Sequence, residues 1–204
     1  MTVDVLAAVR EDNETALSRL GSSKALFAAT GGELEGEQVL RAAADDAAAA
    51  ADVFEAWADD EPDGTAADTF AAAAGHASSQ RETVVGELDG DHDPDTGGAV
   101  ADHLRDVEGT AARAGALVGW SVVSDETLGQ VVGFFVGDAD PLTAQTLREV
   151  REETGAVQAA ARDLLASVDD ADAARAAADA VVQAAYDDYV ATLEGMGVNP
   201  KNVC

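Results

Sequence analysis

Alanine recurs with valine and leucine at helical spacing along most of this chain, and this periodicity limits its possible folds more than any other feature. The sequence holds 46 alanines among 204 residues and no isoleucine. Alanine is the strongest intrinsic helix former, and apolar residues three and four apart share one helix face. No segment shows the alternation that is typical of a strand. The sequence therefore predicts an all-α protein whose helices pack closely.

Turn and capping residues divide the periodic segments into seven predicted helices. The first four cover residues 2–29, 33–59, 65–88 and 99–123. Three more follow. Thr65 is the predicted cap of helix three and Ser124 that of helix five. Asp140 is predicted to cap helix six, with Pro141 at its first position, and Asp169 or Asp170 to cap helix seven. Residues 89–98 are predicted to form a loop, and residues 196–204 an irregular tail.

Short connections between helices favour antiparallel neighbours. We therefore expect one helical domain over residues 1–204, with an antiparallel four-helix bundle formed by residues 1–123. About three additional C-terminal helices would follow over residues 124–195. A continuous bundle of six or seven helices is the alternative arrangement.

The chain carries 12 Lys+Arg against 40 Asp+Glu, a formal charge of −28. So many carboxylates repel a phosphate backbone, and we expect no direct nucleic-acid binding. Excess aspartate, scarce lysine and abundant alanine are typical of proteins in molar salt, where the Debye length falls to about 3 Å. A surface made for a basic partner is the alternative. Without a long apolar run or a signal-peptide pattern, we expect a cytoplasmic protein with no membrane segment.

The three histidines decide whether a ferritin-type di-iron centre is possible, because that centre needs Glu-x-x-His pairs on two helices. Ala73, Asp89 and Val100 stand three residues before the histidines, so no such pair exists. The only cysteine is the last residue, Cys204, which excludes an intramolecular disulfide or a cysteine metal site. No serine lies in a nucleophile motif. We expect no catalytic residue and no cofactor.

The predicted loop is the one remaining place for a metal ion. Its oxygen-rich side chains could hold Ca²⁺ or Mg²⁺, although the spacing of an EF-hand is missing. A hydrated acidic loop is the alternative. The weak metal candidates are Asp89, Asp91, His92 and Asp93.

Residues 129–137 form the most apolar stretch of the chain, with glycines at every fourth position. Such a face allows close approach of another helix, either within the chain or in a homodimer. A homodimer would add apolar burial to a core with few large side chains. The candidate interface residues are Val132, Phe134, Phe135 and Val136.

Two segments resemble rubrerythrins, which are ferritin-like di-iron proteins. They are residues 21–29 (GSSKALFAA) and residues 39–46 (VLRAAADD), which precede Phe54 and Trp57. Over its full length, including residues 133–141 (GFFVGDADP) and the tail, the chain is similar to a haloarchaeal rubrerythrin-like family. Members of that family also carry the label of transcription antitermination protein.

The resemblance implies a ferritin-like fold without the di-iron centre. Ser22 stands where rubrerythrins have their first glutamate, and Asp46 is followed by alanines where Glu-x-x-His is expected. We therefore expect a helical-bundle protein of a halophilic archaeon. Its expected role is that of a scaffold or binding protein rather than an enzyme. A metal-dependent oxidoreductase with irregular iron or manganese ligands is one alternative. The other alternative is a transcription-related regulator that acts through protein contacts. The sequence does not identify its partner.

Overall fold

A computed structural model describes residues 4–200, and over that range the chain is all-helical, without strands. Residues 2–3 of the first predicted helix and Cys204 lie outside the described part. Over residues 4–200, no helix combines the length and the apolar character needed to cross a bilayer. The helices are α1 (Val5–Asp12), α2 (Glu14–Leu20), α3 (Ser23–Ala29), α4 (Gly36–Asp60), α5 (Gly64–Gly86), α6 (Ala99–Arg105), α7 (Thr110–Gly137), α8 (Pro141–Leu165) and α9 (Ala171–Gly195).

The first predicted helix is wrong as a single element, because it consists of α1, α2 and α3. Asn13 separates α1 from α2, and its side-chain amide donates to the Val9 carbonyl at 3.0 Å and to Asp179 of α9 at 2.7 Å. Gly21 and the extended Ser22 separate α2 from α3. Asparagine and glycine are both poor residues for a helix interior, so these breaks fall where local propensity is weakest.

The predictions for α4 and α5 are confirmed to within a few residues at each end. The cap of α5 is not Thr65, however. Asp63 is the cap, and its side chain accepts a hydrogen bond from the Ala66 amide at 2.9 Å. The aromatic residues of the predicted stripes, Phe54 and Phe70, are fully buried.

The predicted helix over residues 99–123 and its boundary at Ser124 are wrong. The helix ends earlier, at Arg105. A non-helical segment follows, and its last residue, Gly109, has a positive φ of 86°. From Thr110 onward, α7 continues through residue 124 to Gly137. Buried residues lie on both sides of Ser124 in one continuous helix, so a serine that could cap a helix lies inside one. The expected division at residue 123 therefore falls in the middle of α7.

The last two helices begin as predicted. The Asp140 side chain accepts from the Thr143 amide at 3.1 Å, and Pro141 is the first residue of α8. At the start of α9, the Asp170 side chain accepts from the Ala173 amide at 2.9 Å. The irregular tail is confirmed over residues 196–200.

Two helical hairpins and α9 make up the main packing. α4 packs on α5 and α7 packs on α8, each pair being joined by three residues, while α5 contacts α8 and α4 contacts α7. α9 packs along α7, and α1 to α3 cover α7 and α9. A cluster of four rings lies in the core: the Phe54 ring is 5.3 Å from Trp57 and 5.0 Å from Trp120, and Trp57 is 5.4 Å from Phe70.

Helices α7 and α9 approach closely because two glycines of α7 face the backbone of α9. A β-carbon placed on Gly119 would lie 2.5 Å from the carbonyl oxygen of Ala178, and one on Gly115 would overlap the carbonyl of Ala174. A methyl group has no room at either position. This pair, four residues apart, provides the small-residue contact that the sequence analysis placed at residues 129–137.

Candidate functional site

The acidic residues predicted as weak metal ligands do not converge. Asp89, Asp91 and Asp93 are all exposed on the loop that follows α5. Within residues 4–200, no group of three or more His, Cys, Asp or Glu side chains has the geometry to hold a metal ion.

His92 instead attaches this loop to α4. Its Nε2 lies 2.7 Å from the Asp45 carboxylate, and its Nδ1 lies 3.1 Å from Nη1 of Arg41. Arginine only donates hydrogen bonds, so Nδ1 accepts and the proton lies on Nε2, which donates to Asp45. The same Asp45 oxygen accepts from the Asp95 amide at 2.9 Å. Both ring nitrogens of His92 are thereby engaged within the chain.

The predicted interface residues are mostly used inside the chain. Val132 and Phe135 are buried in the cluster formed by α3, α4, α5, α7 and α8. Phe134 is half-buried and its ring lies 5.1 Å from that of Phe135. Only Val136 is well exposed, at 53%.

A pocket opens between α4, α7 and α9, and α2, α3, α5 and α6 complete its walls. It encloses about 1070 Å³ of empty space, including the part of its mouth that is open to solvent. Residues 97 and 98 of the loop held by His92 also line it. Most of its wall is alanine, valine, leucine and glycine, with the Trp120 ring as the only aromatic side chain. Apolar concave sites of this kind are the usual places for organic ligands.

Two carboxyl groups line the pocket from different helices, Asp46 from α4 and Asp188 from α9. Both side chains are exposed to water at the pocket wall. Protein atoms packed around Asp46 nevertheless remove part of the water around its carboxyl. In the part of the chain described, neither carboxyl accepts a hydrogen bond from a protein group.

Burial raises the pKa of Asp46 from its usual 3.8 to about 6, and the negative charges of Asp45 and Asp188 add to the rise. Desolvation also raises the pKa of Asp188. Both shifts have the direction expected when carboxylates lose water and lie near like charges. Groups with such shifts in a concave site are candidates for function.

Two neutral polar groups face the same pocket without a partner. The Gln80 side chain on α5 is 7% exposed and Ser124 on α7 is 8% exposed, and both line the pocket. Gln80 also borders a second, much smaller void next to α8. Among residues 4–200, neither the Gln80 amide nor the Ser124 hydroxyl makes a side-chain hydrogen bond to the protein. The polar atoms of both side chains keep access to the space of the pocket. This amide and this hydroxyl are therefore available to a ligand or to water.

None of the six described polar residues that line the pocket (Asp46, Gln80, Ser124, Thr127, Gln130 and Asp188) was expected from the sequence to belong to a site, although helical spacing could have revealed some of them. Gln80 stands between Ala77 and Val84 on the predicted inward stripe of α5, and Asp46 stands three residues after Ala43. A polar residue on an apolar stripe was the available signal. Asp188 gave a similar signal on α9.

Comparison with known proteins gives no match: no family model, no curated protein and no solved structure resembles this chain sufficiently to be reported. No ligand set or substrate is therefore transferred to it from a relative. Its function is inferred from the residues of the pocket.

Proposed function

We propose that this protein is a non-enzymatic binding protein that holds a small organic molecule in the pocket between α4, α7 and α9. The observation that carries this proposal is a pair of polar side chains, Gln80 and Ser124, that line the pocket without a hydrogen-bond partner in the described chain, on residues that are more than nine-tenths buried. Their polar atoms are not sealed from the pocket, unlike Nε1 of Trp57 and Nε2 of His103, which are buried without a partner among residues 4–200. A ligand that bonds to both side chains gains about 0.5–1.5 kcal/mol for each hydrogen bond.

The chemistry of the wall supports binding. Its polar side chains are amides, hydroxyls and two carboxyls, and among residues 4–200 its lining holds no thiol, imidazole or amine. Such groups orient a ligand by hydrogen bonds while the alanine, valine and leucine side chains exclude water around its apolar part. The loop fixed by His92 and Asp45 keeps one wall in place.

We also infer that α4, α5, α7 and α8 form a ferritin-like bundle. Two observations support this: two three-residue hairpins, and a long connection over residues 87–109 that contains α6 and joins them. One long crossover between two hairpins is typical of ferritin-like topology. The bundle would then consist of α4, α5, α7 and α8, rather than of residues 1–123, and the pocket would lie on its α4–α7 side, under α9.

The formal charge of −28 and the scarcity of lysine support a cytoplasmic protein of a halophilic archaeon that has no direct contact with nucleic acid.

We further propose a homodimer, supported by exposed apolar side chains near the α7–α8 turn, Val136 at 53% and Leu142 at 80%. Light scattering in molar salt should then give twice the chain mass of 20.7 kDa. A value equal to the chain mass would contradict the dimer.

The two tryptophans allow a direct test of the binding proposal, because Trp120 lines the pocket and Trp57 does not. Trp57→Phe leaves Trp120 as the only indole, and Trp120→Phe leaves Trp57 as its matched control. We expect phenethylamine, phenethyl alcohol or phenylacetate, at up to millimolar concentration, to change the Trp120 emission in a saturable way. The Trp57 emission should not change. If none of the three affects Trp120, the binding proposal is wrong.

A further inference from the structure

We propose that the ligand of this pocket is an organic cation, an ammonium group on a compact apolar body, with its charge placed at Asp46 and Asp188. This inference rests on the proposed binding function and narrows it to one chemical class. A neutral or anionic ligand of the same shape would bind less tightly.

The charge of the described lining is of one sign. Within residues 4–200, Asp46 and Asp188 are the only titratable side chains that line the pocket. The walls formed by α2, α3, α5, α6 and α7 contribute no basic group that could neutralise them. An anion would meet two carboxyls without a counter-charge, whereas a cation would be attracted by both.

Two adjacent carboxyl groups of α4 differ in their hydrogen bonds: among the described residues, Asp45 has protein donors and Asp46 has none. Asp45 accepts hydrogen bonds from His92 at 2.7 Å and from the Asp95 amide at 2.9 Å. Asp46, one residue later, has no protein donor in the described chain and faces the pocket. The basic group Arg41 lies on the Asp45 side, against His92.

The unpartnered neutral groups fit the same ligand and are independent of the acidic pair. An ammonium group has three N–H donors and no acceptor. Gln80 offers its amide oxygen and Ser124 its hydroxyl oxygen, and both side chains are more than nine-tenths buried on the pocket wall. Trp120 is the indole of the lining, and the face of an indole attracts cations more strongly than other aromatic rings do.

The release of the Asp46 proton on binding is a second measurable sign that the ligand is a cation. Its pKa is raised to about 6 by burial and by the charges of Asp45 on its own helix and Asp188 on α9. A bound cation favours the ionised carboxylate. Binding near pH 6 should therefore release protons, and the number released should fall well above that pH, where Asp46 is already ionised.

The test compares phenethylamine, which is cationic near neutral pH, with phenethyl alcohol and phenylacetate by isothermal titration calorimetry in molar KCl. Salt at this concentration screens the general attraction of cations to the acidic surface. We expect phenethylamine to bind about tenfold or more tightly than phenethyl alcohol, since hydrogen bonds to charged groups are the stronger ones. Phenylacetate should bind most weakly. Titrations in two buffers of different ionisation enthalpy should show proton release for phenethylamine at pH 6.

Asp46→Asn is the main variant. Asp52→Asn is its matched control, because Asp52 lies on the same helix but does not line the pocket, and the charge change is identical. Asp46→Asn should reduce the preference for the amine to within about threefold and abolish the proton release, while the affinity for phenethyl alcohol remains. Asp52→Asn should behave as wild type. Asp188→Asn, an independent variant, should also reduce the preference for the amine.

The outcomes separate this inference from the proposed function. If phenethyl alcohol binds at Trp120 as tightly as phenethylamine, the pocket binds ligands but the cation proposal is wrong. The same conclusion follows if Asp46→Asn and Asp52→Asn retain equal preferences for the amine. If none of the three molecules binds wild-type protein, both proposals are wrong.

Discussion

Asp46 gives the sharpest prediction about stability, because its desolvation acts against the folded state. Replacing it by asparagine keeps the shape of the side chain and removes the charge. We expect Asp46→Asn to raise the free energy of unfolding at pH 7. This is unusual for the removal of a charged residue, and the reason is that the carboxylate lies in the pocket wall without a protein donor or counter-charge.

The magnitude follows from the pKa. The pKa of Asp46 is 3.8 when solvated and about 6 in the folded chain. A difference of about 2 in pKa corresponds to roughly 3 kcal/mol against the folded state when the group is ionised. Water reaches the side chain in the pocket and screens it, so we expect about half of this, on the order of 1–2 kcal/mol.

The sign of the pH dependence is also fixed. Between about pH 4 and pH 6 the folded chain holds the Asp46 proton and the unfolded chain releases it, so wild-type stability decreases as the pH rises through this window. Above pH 6 both states are ionised and the penalty is constant. The advantage of Asp46→Asn should therefore be full at pH 7 and disappear near pH 4.

Urea unfolding followed by far-ultraviolet circular dichroism, in molar salt at pH 7 and at pH 4.5, measures this difference. Asp52→Asn is the control for the change in net charge, since Asp52 lies on the same helix outside the pocket. An Asp46→Asn variant that is less stable than wild type at pH 7, or equally stabilised at both pH values, would refute the reasoning.

Three further predictions concern the packing, the loop and the salt. Gly115→Ala should lower the free energy of unfolding by about 1–3 kcal/mol, because the added methyl group overlaps the Ala174 carbonyl. Gly133→Ala adds its methyl group in open space and should raise the free energy of unfolding by about 0.5–1 kcal/mol. Urea unfolding of the two variants measures both changes. His92→Ala removes the hydrogen bond to Asp45 and should make residues 89–98 more sensitive to limited proteolysis; an unchanged cleavage rate would contradict this role for the histidine. Helicity should fall when salt drops below a few hundred millimolar, because −28 charges then repel through a longer Debye length, and a dichroism signal that stays constant into dilute buffer would exclude the effect.

Local signals in the sequence determined the helical class and many helix ends. Alanine spacing predicted α4, α5, α8 and α9, and Asp140 followed by Pro141 predicted the start of α8. These features act over a few residues, so the sequence alone contains their physical cause. Ser124 shows the limit of this reasoning: a serine can cap a helix or lie inside one, and the apolar residues on both sides of it fill one continuous buried face of α7.

The site depended on the tertiary structure. Asp46 and Asp188 are two of 25 aspartates and stand 142 positions apart, and nothing in their neighbours pairs them. They line one pocket because α9 packs on α7 beside α4, and that packing depends on the close contact at Gly115 and Gly119. For residues 129–137 the sequence predicted close helix packing, within the chain or in a homodimer. Within the chain, a β-carbon placed on Gly133 or Gly137 would have nothing within 4 Å, and a glycine stripe alone does not identify its partner.

The sequence by itself therefore determined that the chain is helical, acidic and without Glu-x-x-His. These are properties of composition and of short-range spacing. Only the tertiary structure decided which of its many polar side chains are desolvated and left without a partner. Desolvation depends on what surrounds a group in space, and for Asp46, Gln80 and Ser124 the surroundings come from helices far apart in the chain.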